Sequence, residues 1–442
     1  MSRRAVGSDV LIIGAGPAGL AAAYRVVESG GEASVVDDNP DAGGQIWRGE
    51  KEKPSTPEAA AWFEKIRKSK ISFINGARVF QQPQSGLLLA ERENDVCELS
   101  YQKLILATGA RERFLPFPGW TLPNVMGAGG LQALVKTGFA IDGKKVVVAG
   151  SGPLLLAVAD YLTGKGAEVV TIAEQTSLVS LFRFGLGLIG QGRKASQAYK
   201  LKRRLRGVKY LIGCWPVAAH GVGKLERVTL QQAGRRFDVV CDYLACGFHL
   251  VPNLELAELL GCKIEDGAVR VDEFQQTSVE NVFSAGESTG IGGLELSLVE
   301  GEIAGLAATG QTTKVRALFA NRDKQRKFGR LLNRTFELRR ELRDLPVNDT
   351  MVCRCEDVSF ERLRTSSSWR EAKLHTRCGM GPCQGRICGT AVEFLFGWNV
   401  ESVRPPVFPV RVGSMTGENK SLEISYDHAL ERRDARDNNR LR

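Results

Sequence analysis

Val10-Leu-Ile-Ile13-Gly14-Ala-Gly16-Pro17-Ala18-Gly19-Leu-Ala-Ala-Ala23 is the stretch on which the fold turns. The apolar run reads as a buried strand, the glycines as a tight turn, and the alanine-rich segment as a helix. Gly14 permits the turn, Gly16 lets the backbone approach a pyrophosphate, and Gly19 brings the helix close to the strand. Pro17 and Ala18 open the helix, whose unpaired N–H groups and partial positive charge point at the phosphates. A second strand, Ala33-Ser-Val-Val36, ends at Asp37, 23 residues after Gly14, where a carboxylate can bind an adenosine ribose hydroxyl.

Lys144 to Glu174 repeats the strand–turn–helix–strand pattern, with Val146-Val-Val-Ala-Gly150-Ser-Gly152-Pro-Leu-Leu155 at its centre. Here the third glycine position holds Leu155, which should push the helix from the strand and disturb close binding of a pyrophosphate. Gly150, Gly152 and Glu174 keep the remaining positions of an NAD(P)-like site. A retained scaffold that binds nucleotide weakly or not at all is favoured over a working one.

The expected class is therefore α/β, with two Rossmann-like dinucleotide-binding domains, the second inserted in the first, and a small C-terminal α-rich domain. The boundaries expected are 1–118 with 265–345 for the first, 119–264 for the second and 346–412 for the third. Residues 413–442 are charged and aperiodic, and read as a disordered tail.

The 43% hydrophobic and 25% charged content excludes a disordered or fibrous chain. No apolar run reaches a membrane span, and the N-terminal apolar segment reads as a strand rather than a secretory signal. A cytoplasmic, reducing setting follows, with free or metal-bound thiols. The formal charge of +10 is concentrated in two stretches, Lys194–Arg206 and Arg322–Arg343. No aromatic-rich motif accompanies them, so solvated helix faces or a docking surface are preferred to nucleic-acid binding.

Five of the ten cysteines fall in 36 residues: Cys353-Arg-Cys355, Cys378 and Cys383-Gln-Gly-Arg-Ile-Cys388. Packing does not need sulfurs at fixed short spacing, whereas converging thiolates bind an iron–sulfur cluster or zinc. Uncoordinated thiols are a third reading. The other five, Cys97, Cys214, Cys241, Cys246 and Cys262, are scattered as buried cysteines usually are. Neither dinucleotide domain carries a redox-active Cys-x-x-Cys pair; Cys241 and Cys246 have a wider spacing, but burial about a strand explains them. The four histidines form no catalytic pairing, and no acid–base constellation is visible. Electron-carrying parts without a substrate site point to one component of a larger enzyme.

Several motifs carry resemblances. Gly43-Gly44-Gln45, Leu104-Ile-Leu-Ala107-Thr108-Gly109 and Asn281-Val-Phe-Ser-Ala285-Gly286-Glu287 resemble, in this order, the two-dinucleotide-domain flavoproteins that include thioredoxin reductase. That resemblance implies FAD in the first domain, held by these segments, with Glu287 beside the ribityl chain where the usual residue is Asp. The cysteine segment resembles the bacterioferritin-associated-ferredoxin type of [2Fe–2S] domain. It implies Cys353, Cys355, Cys383 and Cys388 as ligands, with Cys378 the alternative to Cys383.

Gly43-Gly44-Gln45-Ile-Trp-Arg48, Ala107-Thr108-Gly109-Ala-Arg111-Glu-Arg113, Pro116-Phe-Pro118-Gly119-Trp120, Leu250-Val-Pro252-Asn253 and Gly379-Met-Gly-Pro-Cys383-Gln-Gly together resemble one family. It holds the A-type subunits of opine oxidase, the B-type subunits of hydrogen cyanide synthase, and the alpha-type subunits of dye-linked proline and hydroxyproline dehydrogenases. The resemblance implies an electron-transfer subunit of an amine or imino-acid dehydrogenase, opine oxidase-like first. Its partner would be a D-amino-acid-oxidase-like flavoprotein, with room for a small third component, an FMN at an interface between them and an acceptor such as a quinone. A peripheral position on the inner face of the cell membrane is compatible with that role. A self-sufficient NAD(P)H-dependent reductase and a non-catalytic scaffold are the competing expectations.

Overall fold

The computed structural model describes residues 2–93, 95–188, 192–399 and 403–416. The chain begins β1 (Ser2–Ile13), α1 (Pro17–Glu28), β2 (Ala33–Asp37), α2 (Pro57–Lys68), β3 (Ser72–Asn75), β4 (Ala77–Gln84), β5 (Leu87–Arg92) and β6 (Asp95–Leu106). Their sheet runs in the order β3-β2-β1-β6-β5-β4, parallel from β3 to β6 and antiparallel beyond. Leu11, Ile12, Leu104 and Ile105 are buried because the parallel part of the sheet is covered on both faces.

Next come β7 (Ala110–Glu112), β8 (Val125–Gly127), α3 (Ala128–Lys136), β9 (Lys145–Ser151), α4 (Leu154–Thr163), β10 (Glu168–Glu174), α5 (Leu178–Gly187), α6 (Gly192–Arg204) and β11 (Lys209–Ile212). After β12 (Cys214–His220), β13 (Arg227–Gln232) and β14 (Arg235–Val240), which form an antiparallel sheet, β15 (Tyr243–Phe248) completes a second parallel sheet, β11-β10-β9-β15-β8. β16 (Leu250–Pro252) then pairs with β7, so the chain leaves and re-enters the first domain through one two-stranded ladder.

α7 (Glu255–Leu259), β17 (Ile264–Glu265) and β18 (Ala268–Val269) lead to β19 (Val282–Ser284), which pairs in parallel with β6. A strand from the second half thus completes the first sheet, the signature of an inserted domain. α8 (Leu294–Ala308), α9 (Thr312–Arg316) and α10 (Phe319–Thr335) follow, with α8 packed on α1.

The C-terminal unit contains β20 (Met351–Cys353), β21 (Val358–Ser359), α11 (Phe360–Arg364), α12 (Trp369–Thr376) and α13 (Cys388–Phe396) around its own small core. Trp120 Nε1 donates to the Met351 carbonyl at 2.6 Å and Arg113 pairs with Glu393 at 3.0 Å, fastening this unit to the dinucleotide domains. α14 (Val412–Thr416) follows, with Ser414 Oγ bonded to Glu91 at 2.6 Å. The tail expected from 413 therefore begins with a docked helix; residues 417–442 lie outside the described residues. Among the described residues no helix is long and apolar enough to cross a membrane.

Candidate functional site

The first nucleotide cradle is built by close backbone approach. A Cβ at Gly19 would lie 1.8 Å from the Gly14 carbonyl oxygen, so only glycine lets α1 sit this close to the turn. Gly44 crosses Gly16, where a side chain at Gly44 would come 2.8 Å from the Gly16 Cα. The N-terminus of α1 carries no side-chain cap, which leaves its N–H groups available to an anion. Asp37, buried at the end of β2, accepts from the Ala15 N–H at 2.5 Å and the Asn39 N–H at 2.8 Å. Gln45 stands exposed at the rim. Thr108 Oγ1 donates to the Asn253 carbonyl at 2.8 Å and Asn253 Nδ2 returns a bond to the Thr108 carbonyl at 2.9 Å, fixing Ala107-Thr108-Gly109.

Glu287 stands on the turn after β19. Its Oε1 accepts from the Gly293 N–H at 2.8 Å, while its Oε2 is buried with no partner. The residue as a whole is only half-buried, yet its carboxylate is removed from water, and that burial pushes its pKa up to about 7. A buried acceptor that lacks a donor fits a ligand hydroxyl.

Sequence reasoning missed two residues of this cradle and the burial of a third. Glu300, on α8, accepts from the Gly286 N–H at 3.2 Å and Thr289 Oγ1 at 2.7 Å, and pairs with Arg326 of α10 at 2.8 Å. It positions the Gly286–Glu287 turn. Asn39 accepts from Arg48 Nη2 at 2.8 Å, and the Arg48 Nε is buried without a partner, a second unpaired group in this region. Arg48 ends the Gly43–Arg48 motif, but nothing in its spacing showed the burial of its Nε.

The second fold is shaped like the first but is crossed by a later segment of the chain. Glu174 turns onto its own loop as Asp37 does, accepting from the Gly152 N–H at 2.8 Å and the Thr176 N–H at 2.9 Å. Leu155 is buried in the core of that domain. Residues 336–339, just past α10, close the mouth. Ser151 Oγ donates to the Phe336 carbonyl at 2.9 Å, Gln175 Nε2 to the Glu337 carbonyl at 3.1 Å, and the Arg339 N–H to Gln175 Oε1 at 3.2 Å.

In the C-terminal unit the sulfurs of Cys353, Cys378 and Cys388 lie within 4.8 Å of one another, all three buried. Cys355 is exposed, and its sulfur lies 3.8 Å from that of the half-buried Cys383. Cys378, the alternative in the sequence reading, is thus brought into the buried trio, and Cys383 stands with Cys355. The Cys353 thiol is held far below its ordinary pKa, first by Cys378 and Cys388 and then by the Gly379 and Glu356 N–H groups. A side chain at Gly381 would come 2.3 Å from the Cys355 Cβ, which explains a glycine there. A preformed set of soft donors, with backbone N–H groups turned toward sulfur, fits a thiolate-ligated metal or cluster. The five scattered cysteines are all buried, with Cys246 inside β15.

A cavity of about 1450 Å³ separates the β7–β16 ladder from this unit, with Arg111, Arg113, His249, Trp369, Arg386 and Trp398 in its walls. Arg111 pairs with Glu255 at 2.9 Å and donates to the Arg386 carbonyl at 3.1 Å, so the cavity floor belongs to both units. Met380 and Gln384 bring the cysteine loop to its edge.

Two nucleotide folds with one nested in the other define a class, and a family model agrees: the pyridine nucleotide-disulphide oxidoreductase model matches residues 8–307. The chain belongs to that family and is an FAD-dependent oxidoreductase. It is 30% identical to the HcnB subunit of hydrogen cyanide synthase from Pseudomonas aeruginosa, over 86% of this chain and 90% of the relative. It is 29% identical to the A-type subunit of opine oxidase from Rhizobium meliloti, over 92% and 87%. In fold it is similar to L-proline dehydrogenase from P. horikoshii, with a TM-score of 0.69 at 20% identity, covering 94% of this chain and 80% of that one.

Proposed function

We propose that this chain is the electron-transfer subunit of a heteromeric amine or imino-acid dehydrogenase, most like an opine oxidase. The observation that carries this reading is the buried trio of Cys353, Cys378 and Cys388, with the Cys355–Cys383 pair in the same small unit, docked on a flavin fold whose companion nucleotide site is crossed by its own chain. The flavin and a [2Fe–2S] cluster supply two-electron and one-electron redox chemistry, respectively, when bound. Gly14, Gly16, Pro17, Ala18 and Gly19 admit the pyrophosphate, Asp37 the ribose, and Glu287 a ribityl hydroxyl; Gly44, Gln45, Ala107, Thr108, Gly109 and Gly286 line the rest. Cys353, Cys355, Cys383 and Cys388 are the proposed ligands, with Cys378 a fifth thiol within reach.

A D-amino-acid-oxidase-like flavoprotein would take hydride from the C–H bond of the carbon that carries the nitrogen, leaving an imine, and pass electrons to this chain, which would deliver them to an acceptor such as a quinone. An FMN shared with that partner and a small third subunit complete the proposed complex; Arg111, Arg113 and Arg386, in the cavity beside the cysteine loop, would exchange their present partners Glu255 and Glu393 for the FMN phosphate. Relatives named as subunits of hydrogen cyanide synthase and opine oxidase support a complex. The proposed unit boundaries are those read from the sequence, with the third extended to Thr416, and the proposed setting is the cytoplasm, with a peripheral position on the inner face of the cell membrane. The strap over the second fold weighs against a self-sufficient NAD(P)H-dependent reductase, for which residues 336–339 would have to move to admit a nucleotide to Gly150, Gly152 and Glu174.

Co-expression with an adjacent oxidase-like gene tests the proposal. Dye reduction by octopine, nopaline, proline or hydroxyproline should require both chains. Equal activity from this chain alone would refute the proposed dependence on a partner, and rapid bleaching of its flavin by NADH would favour the reductase.

A further inference from the structure

The helix α5 buries none of its ten residues. Leu178, Val179, Phe182 and Leu186 are 67%, 60%, 67% and 51% exposed. At 100° per residue these four positions span one 100° arc of the helix. The opposite side holds Phe184, whose ring meets Phe328 and Phe336 at 6.2 and 5.4 Å, so α5 is anchored on α10 by its back and presents apolar side chains outward.

The neighbouring α6 supplies charge. Lys194 Nζ lies 3.3 Å from the Phe328 ring centroid and 3.0 Å from Gln325 Oε1, so both helices meet at the same ring of α10. Farther along α6 and just past its end, Lys200, Lys202, Arg203 and Arg206 are exposed and make no ion pair among the described residues, while Arg204 pairs with Asp160 at 3.1 Å. From Leu178 to Arg206 the chain holds eight Lys and Arg and no Asp or Glu.

We propose that the α5–α6 face docks on an anionic phospholipid surface. Apolar side chains on a short helix can enter the headgroup boundary while neighbouring cations bind lipid phosphates. A bilayer asks for no shape complementarity, and this face offers exposed apolar side chains with long exposed cations on the next helix. Neither helix carries a carboxylate to be repelled by an anionic leaflet, and the neighbouring Asp160 is paired with Arg204. The inference deepens the membrane-face setting proposed above and rests on it.

The test is sedimentation of the full-length chain with vesicles of phosphatidylglycerol and phosphatidylethanolamine, against phosphatidylcholine alone, at low salt and in 0.5 M NaCl. Binding should require the anionic lipid and weaken with salt. Each cation near such a surface is worth about fivefold in partitioning, so K200Q/K202Q/R203Q should lower binding about a hundredfold. L178S/F182S should lower it by at least about tenfold. V222S, removing an exposed apolar side chain elsewhere, should change nothing. An unchanged flavin absorbance and melting temperature confirm that each variant folds.

Salt-sensitive binding that survives both α5 and α6 variants would overturn this face while leaving the membrane setting intact. Absence of binding by the native chain would overturn both. Loss of the partner flavoprotein from the L178S/F182S variant, with vesicle binding unchanged, would assign the face to a protein interface and overturn the proposal.

Discussion

Glu287 shows how one carboxyl can report the site. Its pKa rises from the ordinary 4.5 to about 7 because burial disfavours the charged form. The folded protein then holds this proton more tightly than the unfolded chain. The resulting stabilisation is complete below pH 4.5 and is lost as the pH rises through about 7, a loss of about 3 kcal/mol. Denaturant titration of the flavin-free chain should show stability falling across that window, and E287Q should flatten the fall. The cysteines give a second prediction. C355S should remove most of the bound iron and acid-labile sulfide, whereas C378S should retain close to two irons per chain. Equal loss in both would move Cys378 into the ligand set, and zinc without sulfide in the native protein would replace the cluster altogether.

At the scale of elements, the glycine spacing at Gly14, Gly16 and Gly19 announced β1, α1 and the cradle, because bare backbone at fixed intervals has few other uses. The repeat from Lys144 to Glu174 announced the inserted fold in the same way. What stayed hidden depended on long-range contact. The closure of the second mouth by residues 336–339 joins positions more than 160 residues apart through backbone carbonyls, which have no residue identity to read. Glu300 looked like one more acid in an apolar helix; its role exists only because β19, α8 and α10 converge. The pairing of Cys378 with Cys353 and Cys388 likewise follows from packing around Trp369, not from spacing. Because α1 and its turn touch at Gly19, G19V should abolish flavin binding. The check is the protein-bound absorbance near 450 nm, with circular dichroism showing that the fold survives. A yellow G19V protein would mean the cradle tolerates a displaced helix.

Over the whole molecule, the two nucleotide folds keep a common shape and differ at the mouth. Both helix N-termini lack a side-chain cap and both acids, Asp37 and Glu174, accept from their own loops; the second mouth alone is crossed by residues 336–339. Leu155 marked the second fold as different in the sequence, and the strap that follows α10 is a further difference that the sequence did not show. That strap also holds Arg339 against Trp215, with the guanidinium 4.4 Å from the ring centroid.

A crevice stopped with its own polypeptide becomes a joint. Ser151 and Gln175 on one side, and residues 336–339 on the other, tie the inserted domain to the tail of the first by hydrogen bonds, and so joined the two should move as one casting. Machines that must swing a domain to hand over electrons slow down in thick solvents; a casting does not. Stopped-flow reduction of the complex by substrate should therefore keep its intramolecular transfer rate when glycerol raises the viscosity severalfold. A rate that falls in inverse proportion to viscosity would show that the joint opens during turnover.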